Sequence, residues 1–327
     1  MEGIIAEYGL FLAKLLTGLL LGVVALATVL SLTRRGEAHE ELKVERLNHK
    51  LEQLNNRLRA AVEPKDAFKK RLKGQKKARK QEDKGAEQDK ARRMFVVDFK
   101  GDIRASATAS LRQEISAIIA SANENDQVLL RLENPGGTVH EHGLAASQLM
   151  RLKDRGIELV VVVDKVAASG GYLMACVANR IIAAPFAIIG SIGVLAQLPN
   201  FNRFLKDKGI DFEQIAAGRY KRTLTLFGEN TSEGREKLKQ ELEEVHELFK
   251  AEIQRHRPQV ELSTVATGEH WYGSQALELK LIDDLGTSDD YLIKALDDFQ
   301  IFHVRYQRKR TLPERIFGGA ANLLAGH

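Results

Sequence analysis

The chain has 327 residues, enough for one large domain or two smaller ones, and its 44% hydrophobic and 28% charged residues exclude a wholly disordered or collagen-like protein. Its one cysteine, Cys176, excludes an internal disulfide framework and a multi-cysteine zinc site. The net charge is +5, but thirteen Lys/Arg and five Asp/Glu in residues 64–93 contribute +8, so the remainder carries −3. The basic charge belongs to one short segment, and we expect no nucleic-acid partner.

Apolar residues fill the segment from Tyr8 to Leu32, which only Lys14 interrupts. Its second half, Leu15–Leu32, carries no charge and is close to the roughly 20 apolar residues that a bilayer core requires. A cleaved signal peptide is the alternative, because Ala25-Leu26-Ala27 has the small-x-small form of a cleavage site. The apolar run continues past that site, so we predict an uncleaved membrane anchor over residues 1–35, with a lipid bilayer as partner.

Residues 36–93 predict a stem followed by a linker. Apolar residues seven positions apart form an a/d seam over about 2.5 heptads. Its two series are Val44, Leu51, Leu58 and Leu47, Leu54, Ala61. The seam fits either a solvated helix that continues from the membrane segment or a short coiled-coil stem for self-association. From Lys65 to Arg93 almost no apolar residue follows Leu72, which predicts a flexible or helical linker whose positive charge can touch anionic lipid.

Strands and helices alternate between residues 94 and 310, the predicted folded domain. The predicted strands are Met94–Phe99, Val128–Leu132, Leu159–Val163 and Arg180–Ala184, and the predicted helices are Leu111–Ser121, Val139–Arg155, Gly170–Ala178 and Ser232–Arg257. The run Leu159–Val163 is apolar throughout, as expected for a strand covered on both faces. This order predicts right-handed βαβ units and a layered α/β fold, with an amphipathic tail over residues 311–327.

Several short segments carry residues capable of chemistry. Ala167-Ala168-Ser169-Gly170-Gly171 places a serine between a buried strand and a helix, where its hydroxyl is either a helix N-cap or a nucleophile. Asn134-Pro135-Gly136-Gly137 is either a tight turn or a source of N–H groups for an oxyanion. Taken alone, Gly190-Ser191-Ile192-Gly193 is equally open, and the segment Gly218–Thr223 around Lys221 is typical of an ordinary surface.

Together these segments resemble the Ser-Lys signal peptide peptidase family. The resemblance extends through YKRTLTLFGENT (residues 220–231), TSEGR (231–235), TGEHWYGSQA (267–276) and Leu281-Ile282-Asp283, and it covers most of residues 94–292 as well as the anchor. It implies a ClpP/crotonase-like fold and peptide-bond hydrolysis without a metal, nucleotide or other cofactor. One departure is Lys280, where the family often has glycine; a left-handed residue there would cost about 1 kcal/mol.

Residue by residue, the resemblance makes Ser169 the nucleophile and Lys221 the general base. Ser191 becomes the hydroxyl that orients the lysine. The oxyanion hole that the resemblance implies consists of Gly136 or Gly137 together with Gly170.

A serine needs a base within hydrogen-bond reach, and a lysine is a base only when burial keeps it neutral. The apolar neighbours Leu224, Leu226 and Phe227 predict such a dry setting. The competing design is a Ser-His triad, for which His140 and His142 are candidates just after the glycine turn; we favour the lysine. Cys176 lies among apolar residues and is predicted to belong to the core.

Three classes of function follow from these observations. The first is a membrane-anchored serine endopeptidase acting on peptides such as signal-peptide remnants or misfolded membrane segments, assembled as a ring-like homo-oligomer. The second is a crotonase-like acyl-CoA enzyme, and the third a catalytically inactive scaffold. The basic residues after the anchor favour a cytoplasmic catalytic domain. The family resemblance favours the periplasmic side of a cell inner membrane, and we expect that side because long domains cross despite flanking charge.

Overall fold

The computed structural model describes residues 2–33, 40–82 and 92–308. Their contacts divide the chain into two units, one made of Met1–Lys43 with Tyr306–His327 and the other of Val44–Arg305. The amphipathic tail predicted over residues 311–327 lies outside the described residues, as does the part of the linker in residues 83–91.

The strands are β1 Glu40–Arg46, β2 Arg92–Lys100, β3 Gln127–Glu133, β4 Glu158–Val163, β5 Val166–Ala168, β6 Arg180–Ala183, β7 Ile188–Gly190, β8 His270–Tyr272, β9 Asp284–Leu285 and β10 Phe299–Arg308. The helices are α1 Glu2–Thr33, α2 Leu47–Val62, α3 Lys65–Glu82, α4 Thr108–Ser121, α5 Val139–Lys153, α6 Gly170–Cys176, α7 Asn202–Asp207, α8 Ser232–His256, α9 Leu262–Val265, α10 Gly273–Glu278 and α11 Ser288–Lys294.

The helix α1 covers most of the predicted anchor. Its side chains are described for residues 9–24 and 26, and its large apolar members there, from Leu10 to Leu26, are exposed. In the described residues, no helix has the length and apolarity needed to cross a membrane. The transmembrane helix predicted from the sequence is therefore not found, although the helix itself forms.

A seven-stranded sheet organises the larger unit. Its strand order is β1-β10-β2-β3-β4-β6-β9, and the neighbouring pairs from β10 to β9 are all parallel. Parallel neighbours require crossover connections, and α4 and α5 supply them between β2, β3 and β4. The predicted mixed α/β fold with βαβ units is confirmed. The continuous apolar run of β4 is buried from Leu159 to Val163, because helices cover both faces of the sheet.

Two apolar layers cover the sheet. On one face, α4, α5 and α6 bury apolar side chains, of which Ile115, Leu149 and Met174 are fully buried. On the other face, Leu292 of α11 and Leu47 pack against strand residues such as Val96. Each such side chain stabilises the fold by about 1.5–3 kcal/mol through removal of apolar surface from water.

The predicted seam of the stem is interrupted in the structure. Val44 lies in β1, and α2 begins only at Leu47, which is buried in the core. Asn48 then pairs with the strand β10: its Nδ2 donates to Phe299 O at 2.9 Å, and its Oδ1 accepts from Ile301 N at 2.7 Å. A single helix continuing from the membrane segment is therefore wrong, because these contacts attach the start of α2 to the sheet. Self-association through the exposed side chains of α2 stays a prediction.

A second, three-stranded sheet carries the segments of chemical interest. β5 pairs in parallel with β7, and β7 pairs antiparallel with β8. The register places Ala168 opposite Gly190, so Ser169 and Ser191 follow at the same end of neighbouring strands. Asn134 joins this arrangement through a bridge to Ala167, which brings the glycine turn to the same place.

Candidate active site

Ser169 stands in a strained turn between β5 and α6. Its backbone has φ 51° and ψ −121°, a conformation that residues with a side chain rarely adopt. The turn is held from both sides, because Ser169 N donates to Gly190 O at 2.7 Å and Leu173 N donates to Ser169 O at 3.0 Å. Strain of this kind costs about 1–3 kcal/mol and clusters at active sites, where a sharp strand-to-helix turn presents a nucleophile.

The hydroxyl of Ser169 is not used as a helix cap. Although the residue occupies the N-cap position of α6, its side chain makes no capping hydrogen bond. The N-cap alternative left open by the sequence is therefore wrong. The side chain is half-buried, which leaves the hydroxyl accessible at the surface of the domain.

The glycine turn lies directly against Ser169. A Cβ atom at Gly136 would lie 2.8 Å from Ser169 Cβ and 3.0 Å from Gly170 N, and Gly136 has φ +94°. A side chain here would therefore clash with the serine, which explains why the position is glycine. The structure therefore brings the glycine turn and the serine together.

The N–H groups of this site differ in their partners. Gly136 N donates to Asn134 Oδ1 at 2.9 Å and is already occupied. In the part of the chain that the structure describes, Gly137 N and Gly170 N have no such acceptor. These two groups are therefore the ones available to an oxyanion.

Ser191 follows the strand next to that of Ser169, and in the described part of the chain it makes no hydrogen bond to a lysine. It has φ 50°, its backbone N donates to Glu269 O at 2.8 Å, and its Oγ donates to Gly268 O at 3.3 Å. The half-buried hydroxyl is thus engaged by the loop before β8. These contacts do not include Lys221, which Ser191 was predicted to orient.

Lys221 is exposed, which contradicts the dry setting predicted for it. Leu226 and Phe227 are themselves 37% and 40% exposed, so they provide no apolar cover. Within the described residues no hydrogen bond or ion pair joins the Lys221 side chain to another group, Ser169 included. The physical reason is that residues 194–231 contain only one short helix, α7, and pack few side chains on the core.

The histidines do not form a catalytic triad with Ser169. His140 is exposed and lies 3.8 Å from Glu141. His142 is completely buried, and its Nδ1 and Nε2 lie 2.9 Å from Thr138 O and 3.2 Å from Asn134 Oδ1. Since the ring nitrogens of His142 face Thr138 O and Asn134 Oδ1 inside the core and His140 faces solvent, neither histidine is placed to take the serine proton.

The remaining reactive group is inert. Burial raises the pKa of the Cys176 thiol to about 12, and its Sγ donates to Leu173 O at 3.2 Å. Its assignment to the core is confirmed. Among the described residues, no group of three or more His, Cys, Asp or Glu side chains is arranged to hold a metal ion.

A buried polar network that the sequence did not reveal supports α6 from behind. Tyr172 Oη donates to Leu281 O at 2.8 Å, and burial raises the pKa of this phenol well above its usual value. Arg257, only 3% exposed, donates from two nitrogens to Asp283 at 2.9 and 2.7 Å. Lys280 precedes this segment with φ 61°, the left-handed conformation anticipated from its alignment with a family glycine. Through Tyr172, the network attaches α6, the helix that begins just after Ser169, to the segment before β9.

Comparisons with known proteins show the family to which the chain belongs. The chain matches the family descriptions "Peptidase family S49 N-terminal" over residues 3–149 and "Peptidase family S49" over residues 151–301. A protein named "Probable protease SohB" from Haemophilus influenzae is 45% identical over 332 residues, covering 98% of this chain and 94% of that protein. A protein of the same name from Buchnera aphidicola subsp. Acyrthosiphon pisum is 53% identical over 234 residues, covering 72% and 70%. The resemblance inferred from the sequence is confirmed.

Among solved structures, the membrane-bound stomatin-specific protease 1510-N in complex with a substrate peptide is similar in outline. It is 12% identical, with a TM-score of 0.45, and the match covers 71% of this chain and 99% of that chain.

Proposed function

Since the chain belongs to peptidase family S49, we propose that it is a serine endopeptidase whose nucleophile is Ser169. The observation that carries the proposal is the strained turn at Ser169, whose hydroxyl makes no capping hydrogen bond and which lies against the glycine turn at Gly136. Such a turn serves acyl transfer, which needs a nucleophile and N–H donors within one site, and membership of a peptidase family makes the peptide bond the substrate that we propose. The ClpP/crotonase-like assignment of the fold goes with this proposal.

The proposed reaction follows the usual course of acyl transfer. Ser169 Oγ attacks the carbonyl carbon of a peptide bond while its proton passes to Lys221 Nζ. The oxyanion accepts hydrogen bonds from Gly137 N and Gly170 N. The tetrahedral intermediate then expels the amine, which takes the proton from the lysine, and water hydrolyses the acyl-serine ester.

Lys221 must leave solvent for this reaction, and we propose that a second copy of the chain covers it. The segment around it exposes large apolar side chains, some of which contact each other: Phe227 lies 6.2 Å from Phe201 and 5.7 Å from Phe212, measured between ring centroids. Exposed apolar patches of this kind typically mark interaction sites. A ring-like homo-oligomer with an apolar interior satisfies both needs. Sedimentation that finds only monomer under active conditions would contradict it.

Attachment to the inner membrane through α1 is also part of the proposal. Its support is the uncharged run Leu15–Leu32 together with the exposed apolar side chains of α1. A chain lacking residues 1–35 should pass from the membrane fraction to the supernatant, whereas the full chain should resist a high-salt wash. With a bilayer nearby, apolar peptides such as signal-peptide remnants and misfolded membrane segments are the expected substrates. The catalytic domain is proposed to lie on the periplasmic side.

A fluorophosphonate probe tests the function directly. The full-length chain should react with the probe at Ser169 and hydrolyse an apolar fluorogenic peptide, and Ser169→Ala should do neither while remaining folded. Turnover of an acyl-CoA thioester without labelling of Ser169 would instead identify the acyl-CoA enzyme. A folded, assembled chain that neither reacts nor hydrolyses any peptide would identify the scaffold.

A further inference from the structure

Two polar side chains contact each other beneath the glycine turn. Asn134, at the end of β3, and His142, on α5, both have no exposed surface. His142 Nε2 lies 3.2 Å from Asn134 Oδ1, and Nδ1 lies 2.9 Å from the backbone oxygen of Thr138. Burying two polar side chains is costly unless their hydrogen bonds are made, and an apolar pair would fill the same space. Their polar contacts therefore call for an explanation beyond packing.

Asn134 connects this pair to the turn and to the elements around the serine. Its Oδ1 also accepts from Gly136 N at 2.9 Å, and its Nδ2 donates to the sulfur of Met174 on α6 at 3.2 Å. Its backbone pairs with β5, where Ala168 N donates to Asn134 O at 3.0 Å. One residue thus contacts the turn, the strand before the nucleophile and the helix after it.

The imidazole of His142 reaches the other side of the oxyanion site as well. A Cβ atom at Gly170 would lie only 2.5 Å from His142 Cγ, so the ring packs against the backbone that carries Gly170 N–H. The same ring is hydrogen-bonded through Asn134 to the turn that carries Gly137 N–H. His142 thus touches Gly170 directly and, through a single neighbour, the glycine turn.

We propose that His142 is a positioning residue, which acts through Asn134 to hold the N–H groups of Gly137 and Gly170 in register for one oxyanion. The inference rests on the proposed protease function. His142 takes no proton from Ser169; it fixes the direction of two donors that act on the transition state. Losing one oxyanion donor costs about 100- to 1000-fold in kcat, and misaligning donors costs less.

The test compares three substitutions of His142 in the purified full-length chain, with kcat, KM and the midpoint of thermal unfolding measured for each. His142→Leu removes both polar contacts and should lower kcat about 10- to 100-fold, with KM within about twofold of the wild type. His142→Gln keeps a donor near the position of Nε2 and should recover most of kcat. His142→Asn keeps one near Nδ1, facing Thr138, and should not. Because both amides keep a polar side chain, they allow the test even where the leucine variant folds poorly.

A control and a coupling measurement separate positioning from general damage. Gln148→Leu replaces another buried polar residue of α5 that does not contact the turn, and it should leave kcat unchanged. Asn134→Ala combined with His142→Leu should lower kcat no further than the stronger single variant, because the two residues act as one unit.

The inference is overturned if His142→Leu keeps kcat within about twofold of the wild type, or if the glutamine and asparagine variants fall equally with the leucine variant. Ser169→Ala in the same series distinguishes the two failures. If wild type and Ser169→Ala do not differ in hydrolysis, the proposed function has failed and this inference fails with it. If the wild type hydrolyses the peptide and Ser169→Ala does not, the proposed function holds. The kcat values of the His142 variants then decide the positioning role by themselves.

Discussion

Ser169 and Lys221 are assigned to the same reaction, yet their surroundings differ sharply. Ser169 follows a buried strand, and backbone hydrogen bonds on both sides hold its strained turn. Lys221 lies in a mostly irregular segment whose apolar side chains face solvent. One half of the proposed dyad is built by the fold of a single chain, and the other half is not. The difference is the reason why the proposed function needs a second copy of the chain to cover Lys221.

The sharpest test of the rigid half is Ser169→Gly. We expect activity to fall at least about 1000-fold because the nucleophile is lost. We also expect the free energy of unfolding to rise by about 1 kcal/mol, because glycine adopts a positive φ without strain. Ser169→Ala is the matched control: it should be equally inactive but gain no stability. Equal stability of the two variants would show that the turn stores no strain.

The exposed half of the comparison is tested by Lys221→Arg. Activity should fall about 1000-fold, because a guanidinium stays protonated and cannot accept the serine proton. The unfolding free energy should change by less than about 0.5 kcal/mol, since the side chain is exposed. Lys208→Arg, an exposed lysine of the same segment, should leave activity unaltered. Near-normal hydrolysis by Lys221→Arg would remove the lysine from the mechanism.

The buried ion pair between Arg257 and Asp283 is tested by Arg257→Ala. This change leaves Asp283 without its cation and should lower the unfolding free energy by about 3 kcal/mol, as measured by chemical denaturation. The nearby Arg255→Ala removes only an exposed ion pair with Glu252 and should cost under about 1 kcal/mol. Similar losses for the two variants would mean that the buried pair stabilises the fold no more than an exposed pair does.

A second charged cluster lies in the sheet itself and predicts a pH dependence. Burial would raise the pKa of Asp98, but hydrogen bonds from His303 and Arg131 outweigh it and hold that pKa far below its usual 3.8. The carboxylate therefore contributes stability that is fully present above pH 3.8 and is lost as the pH falls towards the folded-state pKa.

Asp98→Asn should accordingly lower the unfolding free energy by about 2 kcal/mol at neutral pH, through loss of charge-assisted hydrogen bonds. The difference in unfolding free energy between the variant and the wild type should narrow as the pH falls below about 3.8. Urea titrations at successive pH values measure this difference. The exposed Asp154→Asn serves as control and should show little difference at any pH. A difference in unfolding free energy that stays constant at acidic pH would show that the Asp98 carboxylate is not the source of the stability.

The smallest expected effect concerns Lys280. Its φ of 61° disfavours a residue with a side chain, so Lys280→Gly should raise the unfolding free energy by about 0.5–1 kcal/mol. Lys280→Ala keeps the unfavourable conformation and should bring no gain. Thermal unfolding of the two variants side by side decides between strain and charge as the cause of any change.

The buried strands and the turn at Ser169 could be predicted from the sequence. The run Leu159–Val163 is apolar throughout, as expected for a strand covered on both faces, and the turn at Ser169 combined a buried strand, two glycines and a helix start. Such features are set by neighbours in the chain. The contact between the side chains of Asn134 and His142 was not predicted, because it depends on how α5 packs against the end of β3.

Lys221 and Val44 show where sequence patterns mislead. Apolar neighbours made Lys221 look buried, but apolar residues fit a surface that meets another chain as well as they fit a core. Val44 fitted a heptad, yet it lies in a strand. Shortly after it, Leu47 packs in the core and Asn48 hydrogen-bonds to β10. For Val44 the deciding contacts come from β10, an element far away in the chain.

The burial of Cys176 has a practical consequence for labelling experiments. It is the sole cysteine of the protein, and with a pKa of about 12 its thiol is almost never the thiolate that maleimides attack. A cysteine introduced at Ile215, which is 97% exposed, would therefore be the single reactive thiol of an otherwise silent background. Its labelling rate, or the fluorescence of a dye attached there, would report in real time whether the segment around Lys221 is open to solvent or covered.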